Sequence, residues 1–97
     1  MLLSIERIKS TVIPLAEKYN VEKVDLFGSY VNGNATDKSD LDFLVKFIAP
    51  VPSIFKVMGF KEELETEFNN SVDVVTLPLI NSDRLNIERV VNIYERT

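Results

Sequence analysis

The sequence predicts an α/β (α+β) fold: a small mixed β-sheet flanked by helices. Three observations carry this. Apolar residues recur at helical spacing near 4–19, 53–69 and 83–95. Three short stretches, 22–27, 40–47 and 72–76, instead alternate or run β-branched. Their order, helix–strand–strand–helix–strand–helix, matches the layered arrangement in which helices cover a sheet.

Each element has its own signals. In the first helix Ile5, Ile8, Val12, Leu15 and Tyr19 form the apolar side, Ser4 is the cap and Asn20 the stop. Pro14 falls inside this pattern and is expected to kink or divide the helix, since it lacks an N–H. The strand at 22–27 ends at Gly28. In 40–47, Leu41, Phe43, Val45 and Phe47 face one way, and Asp40, Asp42, Leu44 and Lys46 the other. Pro50 and Pro52 mark a loop. The helix over 53–69 has Ile54, Val57, Met58, Leu64 and Phe68 on its apolar side, and Gly59 weakens its middle by about 1 kcal/mol relative to Ala. Val72 and Val74 point one way from the third strand and Asp73 the other; Pro78 ends it. The last helix is predicted over 83–95, capped by Asn81 or Ser82, with Leu85, Ile87, Val91 and Tyr94 buried.

With 97 residues the chain has room for one small domain, 1–97. It contains no cysteine and no histidine, which excludes disulfides, thiolate metal sites and imidazole chemistry. Any metal must be a hard cation on oxygen ligands. The net charge of −4, without a Lys/Arg cluster, argues against duplex nucleic acid as a partner. No apolar run reaches membrane-spanning length, so no membrane partner and a cytoplasmic location are expected.

Asp40-Leu41-Asp42 places two carboxylates on one face of a strand, about 7 Å apart at ~3.3 Å per residue. They repel unless a cation lies between them. A solvated strand edge is the alternative reading. Gly28-Ser29 follows the first strand, where a glycine lets backbone approach a ligand. Residues 29–32 can form a turn of helix stopped by Gly33, which leaves free N–H groups at Gly28-Ser29 for phosphate. If the third strand lies beside the second, Asp73 joins Asp40 and Asp42, and three carboxylates on adjacent strands suit two-metal chemistry. Tyr30 packs or stacks on a base. Glu62, Glu63, Glu65 and Glu67 read as a solvated helix face.

The run from Gly28-Ser29 through Gly33 and Ser39 to Asp40-Leu41-Asp42 resembles the signature of the DNA polymerase beta-like nucleotidyltransferases. With Val72-Asp73-Val74 it resembles their minimal nucleotidyltransferase (MNT) antitoxin branch in particular. The resemblance implies a polymerase beta-like core, with Gly28, Ser29 and Ser39 as nucleotide-binding residues. Asp40, Asp42 and Asp73 would be catalytic and hold Mg2+, two ions in all, with ATP as substrate. It further implies transfer of AMP to a hydroxyl, on a tyrosine of a HEPN-domain toxin partner. Members often carry Arg and an acid where this chain has Asn32 and Asn34. Asn cannot supply the fork of Arg, and Lys38 and Lys46 are the candidate replacements. Two other readings stay open: a non-catalytic antitoxin that blocks its partner by contact, and a transferase acting on a small molecule such as an aminoglycoside, with a homodimer building the acceptor pocket.

Overall fold

A computed structural model describes residues 3–48, 54–76 and 89–96. Helix α1 (Ile5–Lys18) is followed by strand β1 (Val21–Phe27), the short helix α2 (Ser29–Asn32) and strand β2 (Leu41–Phe47). Helix α3 (Ile54–Phe68), strand β3 (Val72–Thr76) and strand β4 (Val91–Glu95) complete the described elements. The four strands form one mixed sheet in the order β3-β2-β1-β4. β1 is antiparallel to both β2 and β4, while β2 and β3 run parallel. A parallel pair needs a crossover, and α3 supplies it.

The alternation in β2 decides which side of the sheet is covered. Leu41, Phe43, Val45 and Phe47 are buried, together with Val24 and Leu26 of β1 and Val72 of β3. Ile8, Val12 and Ala16 of α1 pack on this face, as do Phe60, Leu64 and Phe68 of α3. Phe43 stacks on Phe68 at 6.2 Å between centroids, and Phe47 meets Phe60 edge-on at 6.1 Å. The helices therefore cover one face. Asp42, Leu44 and Lys46 point from the other.

Ser4 caps α1 by accepting the Arg7 N–H at 3.1 Å, and Asn20 ends the segment with φ 56°, a left-handed conformation that Asn tolerates. Pro14 does not divide α1, contrary to expectation: Ile5–Lys18 is one helix. The carbonyl that loses its donor belongs to Ser10, and both Ser10 and Pro14 are exposed, so water can satisfy it. Helices α1 and α3 are joined by Glu63, which accepts hydrogen bonds from the Tyr19 hydroxyl and the Lys18 ammonium.

The end of the chain corrects the sequence reading. Residues 91–95 are strand β4, not the close of a helix; residues 77–88, including the proposed caps Asn81 and Ser82 and the apolar Leu85 and Ile87, lie outside the described residues. Pairing with β1 outweighs the helical spacing because it satisfies two demands. Ile93 is buried against the helices, and Asn92 donates to Asp25 Oδ1 at 3.0 Å. Asp25 is 6% exposed, with Lys23 3.7 Å away, and needs these partners. No helix among the described residues is long and apolar enough to cross a membrane.

The stacked Phe43–Phe68 pair should dominate core stability. Phe43→Ala is expected to cost about 3–5 kcal/mol, read as a lowered midpoint in urea unfolding.

Candidate active site

The site is assembled by strand register. Phe27 of β1 pairs with Asp42 of β2, and Asp42 pairs with Asp73 of β3. Paired residues share a face, and neighbouring strands lie ~4.8 Å apart. Asp42 thus stands in the middle of a row across three strands, on the face that the described helices leave uncovered. Its carboxyl is close enough to that of Asp73 to share a hydrogen bond. Asp40 lies just before β2 and is exposed, yet its charge still reaches Asp42.

These neighbours tune Asp42. Its pKa is pushed from 3.8 up to about 6. Partial burial is the largest cause, followed by the negative charge of Asp73, the hydrogen bond shared with Asp73 and the charge of Asp40. Among the described residues, no three carboxylates converge tightly enough to form a cation cage as they stand. Acids that repel one another settle apart or share a proton.

Gly28 forms the floor beside this row. Its backbone has φ 79° and ψ −148°, a region essentially closed to other residues. A Cβ added there would collide with Asp42 Oδ2 and sit 3.1 Å from its Cγ. The strand end and the acid pair are therefore one packed unit. Beyond Gly28, α2 is a single turn, closed by Val31 and Asn32 N–H groups donating to the Gly28 carbonyl, both at 3.0 Å. Gly33 stops it with φ 84°. A four-residue helix has little macrodipole, so this corner offers an anion the first N–H groups of the turn, at Ser29 and Tyr30.

The remaining sequence candidates fall in different places. Ser39 sits in the loop before Asp40, where its hydroxyl accepts the Thr36 N–H at 2.8 Å and closes a turn. Lys46 is ion-paired with Glu22 at 3.0 Å and lies four residues along β2 from Asp42, about 13 Å away. It is no replacement for the missing arginine. Lys38 is an exposed residue of the 36–39 turn. Tyr30 packs against the core; its buried hydroxyl meets no partner among the described residues.

Spacing alone did not point to the corner between α3 and β3. Asn70 Nδ2 donates to the Ser39 carbonyl at 2.9 Å, and the Leu41 N–H donates to the Ser71 carbonyl at 3.1 Å. Glu65 Oε2 accepts the Val72 N–H at 3.0 Å, so it is more than part of a solvated face. The only sequence signal was an Asn-Asn-Ser turn cluster at 69–71, which says nothing about a partner 31 residues away.

A glycine-floored strand end lies beside acids on adjacent strands. The polymerase beta nucleotidyltransferase family model matches residues 10–96. The chain belongs to that family of nucleotidyltransferases. The protein adenylyltransferase MntA of Thermococcus cleftensis is 37% identical over 78 residues, 76% of this chain and 78% of its own. Among solved structures, a toxin–antitoxin complex with AMP-PNP superimposes with a TM-score of 0.76 at 19% identity, covering 92% of this chain and 74% of the matched one. The structure of tri-AMPylated Shewanella oneidensis HEPN toxin in complex with MNT antitoxin gives 0.71 at 17% identity, covering 96% and 74%. At these identities the structural likeness is one of fold. As a family member the chain is a nucleotidyltransferase with a polymerase beta-like core.

Two predictions follow from the packing and charge of this site. Gly28→Ala should cost about 1–3 kcal/mol from backbone strain alone and displace Asp42; Gly28→Ala combined with Asp42→Ala should recover the part due to the collision, measured as the difference in thermal midpoints. For pH, the folded protein holds the Asp42 proton more tightly than the unfolded chain does. The resulting stabilisation is fully present below pH 3.8 and is lost as pH rises through about 6. The metal-free protein should therefore lose stability between pH 4 and pH 7, and Asp42→Asn should flatten that part of the profile, as followed by thermal melts across this range.

Proposed function

We propose that this nucleotidyltransferase transfers AMP from ATP to a tyrosine hydroxyl of a HEPN-type toxin and acts as its antitoxin. The observation that carries the reading is the Asp42–Asp73 pair beside the glycine floor. Two neighbouring acids on adjacent strands, with a third acid just before one of them, are a donor set that a divalent cation would stabilise. Their hard oxygens suit Mg2+. The fit is supported by the raised pKa of Asp42, caused first by burial and then by the charges of Asp73 and Asp40, and by the absence of any side chain at residue 28 that would fill the space. Asp40, Asp42 and Asp73 would hold the metal, two ions in all; bound there, Mg2+ neutralises triphosphate charge and lowers the pKa of the attacking hydroxyl.

The chain's own residues do the rest. Gly28 and Ser29 form the corner that would meet the β- and γ-phosphates, through the first N–H groups of the turn at Ser29 and Tyr30, and the φ of Gly28 permits the close approach. Ser39 fixes the turn that leads into Asp40 and would contribute to nucleotide binding from there. Asp73, the more exposed acid of the pair, accepts the proton of the acceptor hydroxyl. The tyrosine oxygen forms a bond to the α-phosphorus, the bond from that phosphorus to the α,β-bridging oxygen breaks, and pyrophosphate leaves with that oxygen. The described residues include no second layer over the uncovered face, which suits an acceptor presented by another protein. A reaction that draws on ATP and Mg2+ suits the cytoplasm.

The relatives support this choice of acceptor: MntA of T. cleftensis is a protein adenylyltransferase, and the solved fold neighbours include an AMPylated HEPN toxin with its antitoxin. The decisive experiment combines the protein, α-labelled ATP, Mg2+ and a HEPN-type toxin, taken from the neighbouring gene where that gene encodes one. Label is expected on a toxin tyrosine, and Asp42→Asn should reduce it by roughly 100-fold or more. Toxin neutralised equally well by Asp42→Asn, with no label transferred, would establish stoichiometric blocking instead. Label passed to a free aminoglycoside in the absence of toxin would establish the small-molecule reading.

A further inference from the structure

We propose that Asn70 is a positioning residue that sets Asp40 against Asp73, and so governs how well the acids capture a divalent cation. This rests on the reading of Asp40, Asp42 and Asp73 as the cation-binding acids.

Asp42 needs no further help. It lies inside β2, is held by pairing on both sides, and faces Asp73 by register. Asp40 differs, because it precedes β2 and is exposed. Its position depends on the two peptide groups that flank its Cα. One contains the Ser39 carbonyl and the other the Leu41 N–H. Both are tied to the same corner: Asn70 Nδ2 donates to the Ser39 carbonyl at 2.9 Å, and the Leu41 N–H donates to the Ser71 carbonyl at 3.1 Å.

That corner is itself braced. The Ser71 N–H donates to Asn70 Oδ1 at 2.8 Å, so the Asn70 side chain spans both segments. The Asn70 N–H reaches the Glu65 carbonyl at 3.3 Å, and the Glu65 carboxylate receives the Val72 N–H at 3.0 Å. Asn69 turns the chain there with φ 53°. Asp73 follows three residues after Asn70. The side chain that holds the peptide before Asp40 thus also fixes the start of the strand carrying Asp73. Among the described hydrogen bonds, Asn70 is the one side chain that holds the peptide before Asp40 to the start of the Asp73 strand. Residues behind metal ligands orient them, and their loss weakens binding without removing a ligand.

The test uses the full chain and manganese as a spectroscopic stand-in for magnesium. Asn70→Ala is expected to raise the Mn2+ dissociation constant about tenfold, by paramagnetic resonance of free Mn2+. It should also speed hydrogen exchange at the Leu41 amide, and raise the Mg2+ concentration for half-maximal AMP transfer to a similar extent. KM for ATP at saturating Mg2+ should stay within about twofold, because the phosphate corner at Gly28 is untouched. Asn70→Asp keeps the acceptor for Ser71 and loses only the donor to Ser39, so it serves if the alanine variant does not fold; it should bind Mn2+ more weakly despite its added charge. Tyr19→Phe, which loosens α1 from α3 away from the site, should melt lower yet keep wild-type Mn2+ affinity. Wild-type Mn2+ affinity in Asn70→Ala, in a protein whose parent binds Mn2+ and transfers AMP, would overturn the positioning role alone. A parent that binds no Mn2+ and transfers nothing would overturn the functional reading and the positioning role with it.

Discussion

The carboxylate of Asp42 occupies the space where a side chain on residue 28 would have to be. Much else in the molecule is arranged around that contact. β1 must end at this point and in this register, because Phe27 pairs with Asp42 and the next residue turns away with a positive φ. Only glycine satisfies both the torsion and the space. The result joins a backbone corner able to meet an anion to a side chain able to meet a cation. Neither half is distinctive alone: Gly-Ser turns and Asp-x-Asp strands occur widely in surface structure.

The electrostatics of the uncovered face are the counterpart of this packing. Burial contributes most to the cost of charge on Asp42, and Asp73 across the ladder and Asp40 along the chain add to it. Among the described residues, every cause acting on Asp42 raises its pKa. The lysines give no relief: Lys46 is engaged with Glu22 at the far end of the strand, and Lys23 accompanies Asp25. A site of this kind favours a positively charged guest over the empty state. The sheet supplies the rigidity needed to hold like charges together, through the ladder on both sides of β2 and the aromatic pairs beneath it.

The outer acids are held in different ways. Asp73 rides on β3, an edge strand of the described sheet, whose start is anchored to α3 through Glu65. Asp40 belongs to a loop and takes its position from the α3–β3 corner. The helix that covers the core therefore also reaches the site, through its last turn and the three polar residues after it. In a polymerase beta-like nucleotidyltransferase of this size, the scaffold and the site are separated by a few hydrogen bonds rather than by a second layer of structure.

Local periodicity determined a good deal. The two long helices, three of the four strands, the single turn at 29–32 with its Gly33 stop, and the parity that puts Asp40 and Asp42 opposite the buried face can all be read within windows of a few residues. Asp73 could be placed on a strand and a face, but not beside Asp42. That required β3 to lie next to β2 in parallel, and strand order between distant segments leaves no local period. β4 shows the same limit more sharply: Val91 and Tyr94 fit a helical pattern, yet pairing with β1 buries Ile93 and partners the buried Asp25. Pro14 failed to break α1 because its consequences fall on the solvent side. What only the tertiary structure decided was contact between remote segments: Gly28 on Asp42, Asp42 on Asp73, and Asn70 on the peptide before Asp40. A residue's type and spacing state what it can do; the register of the chain around it decides what it meets.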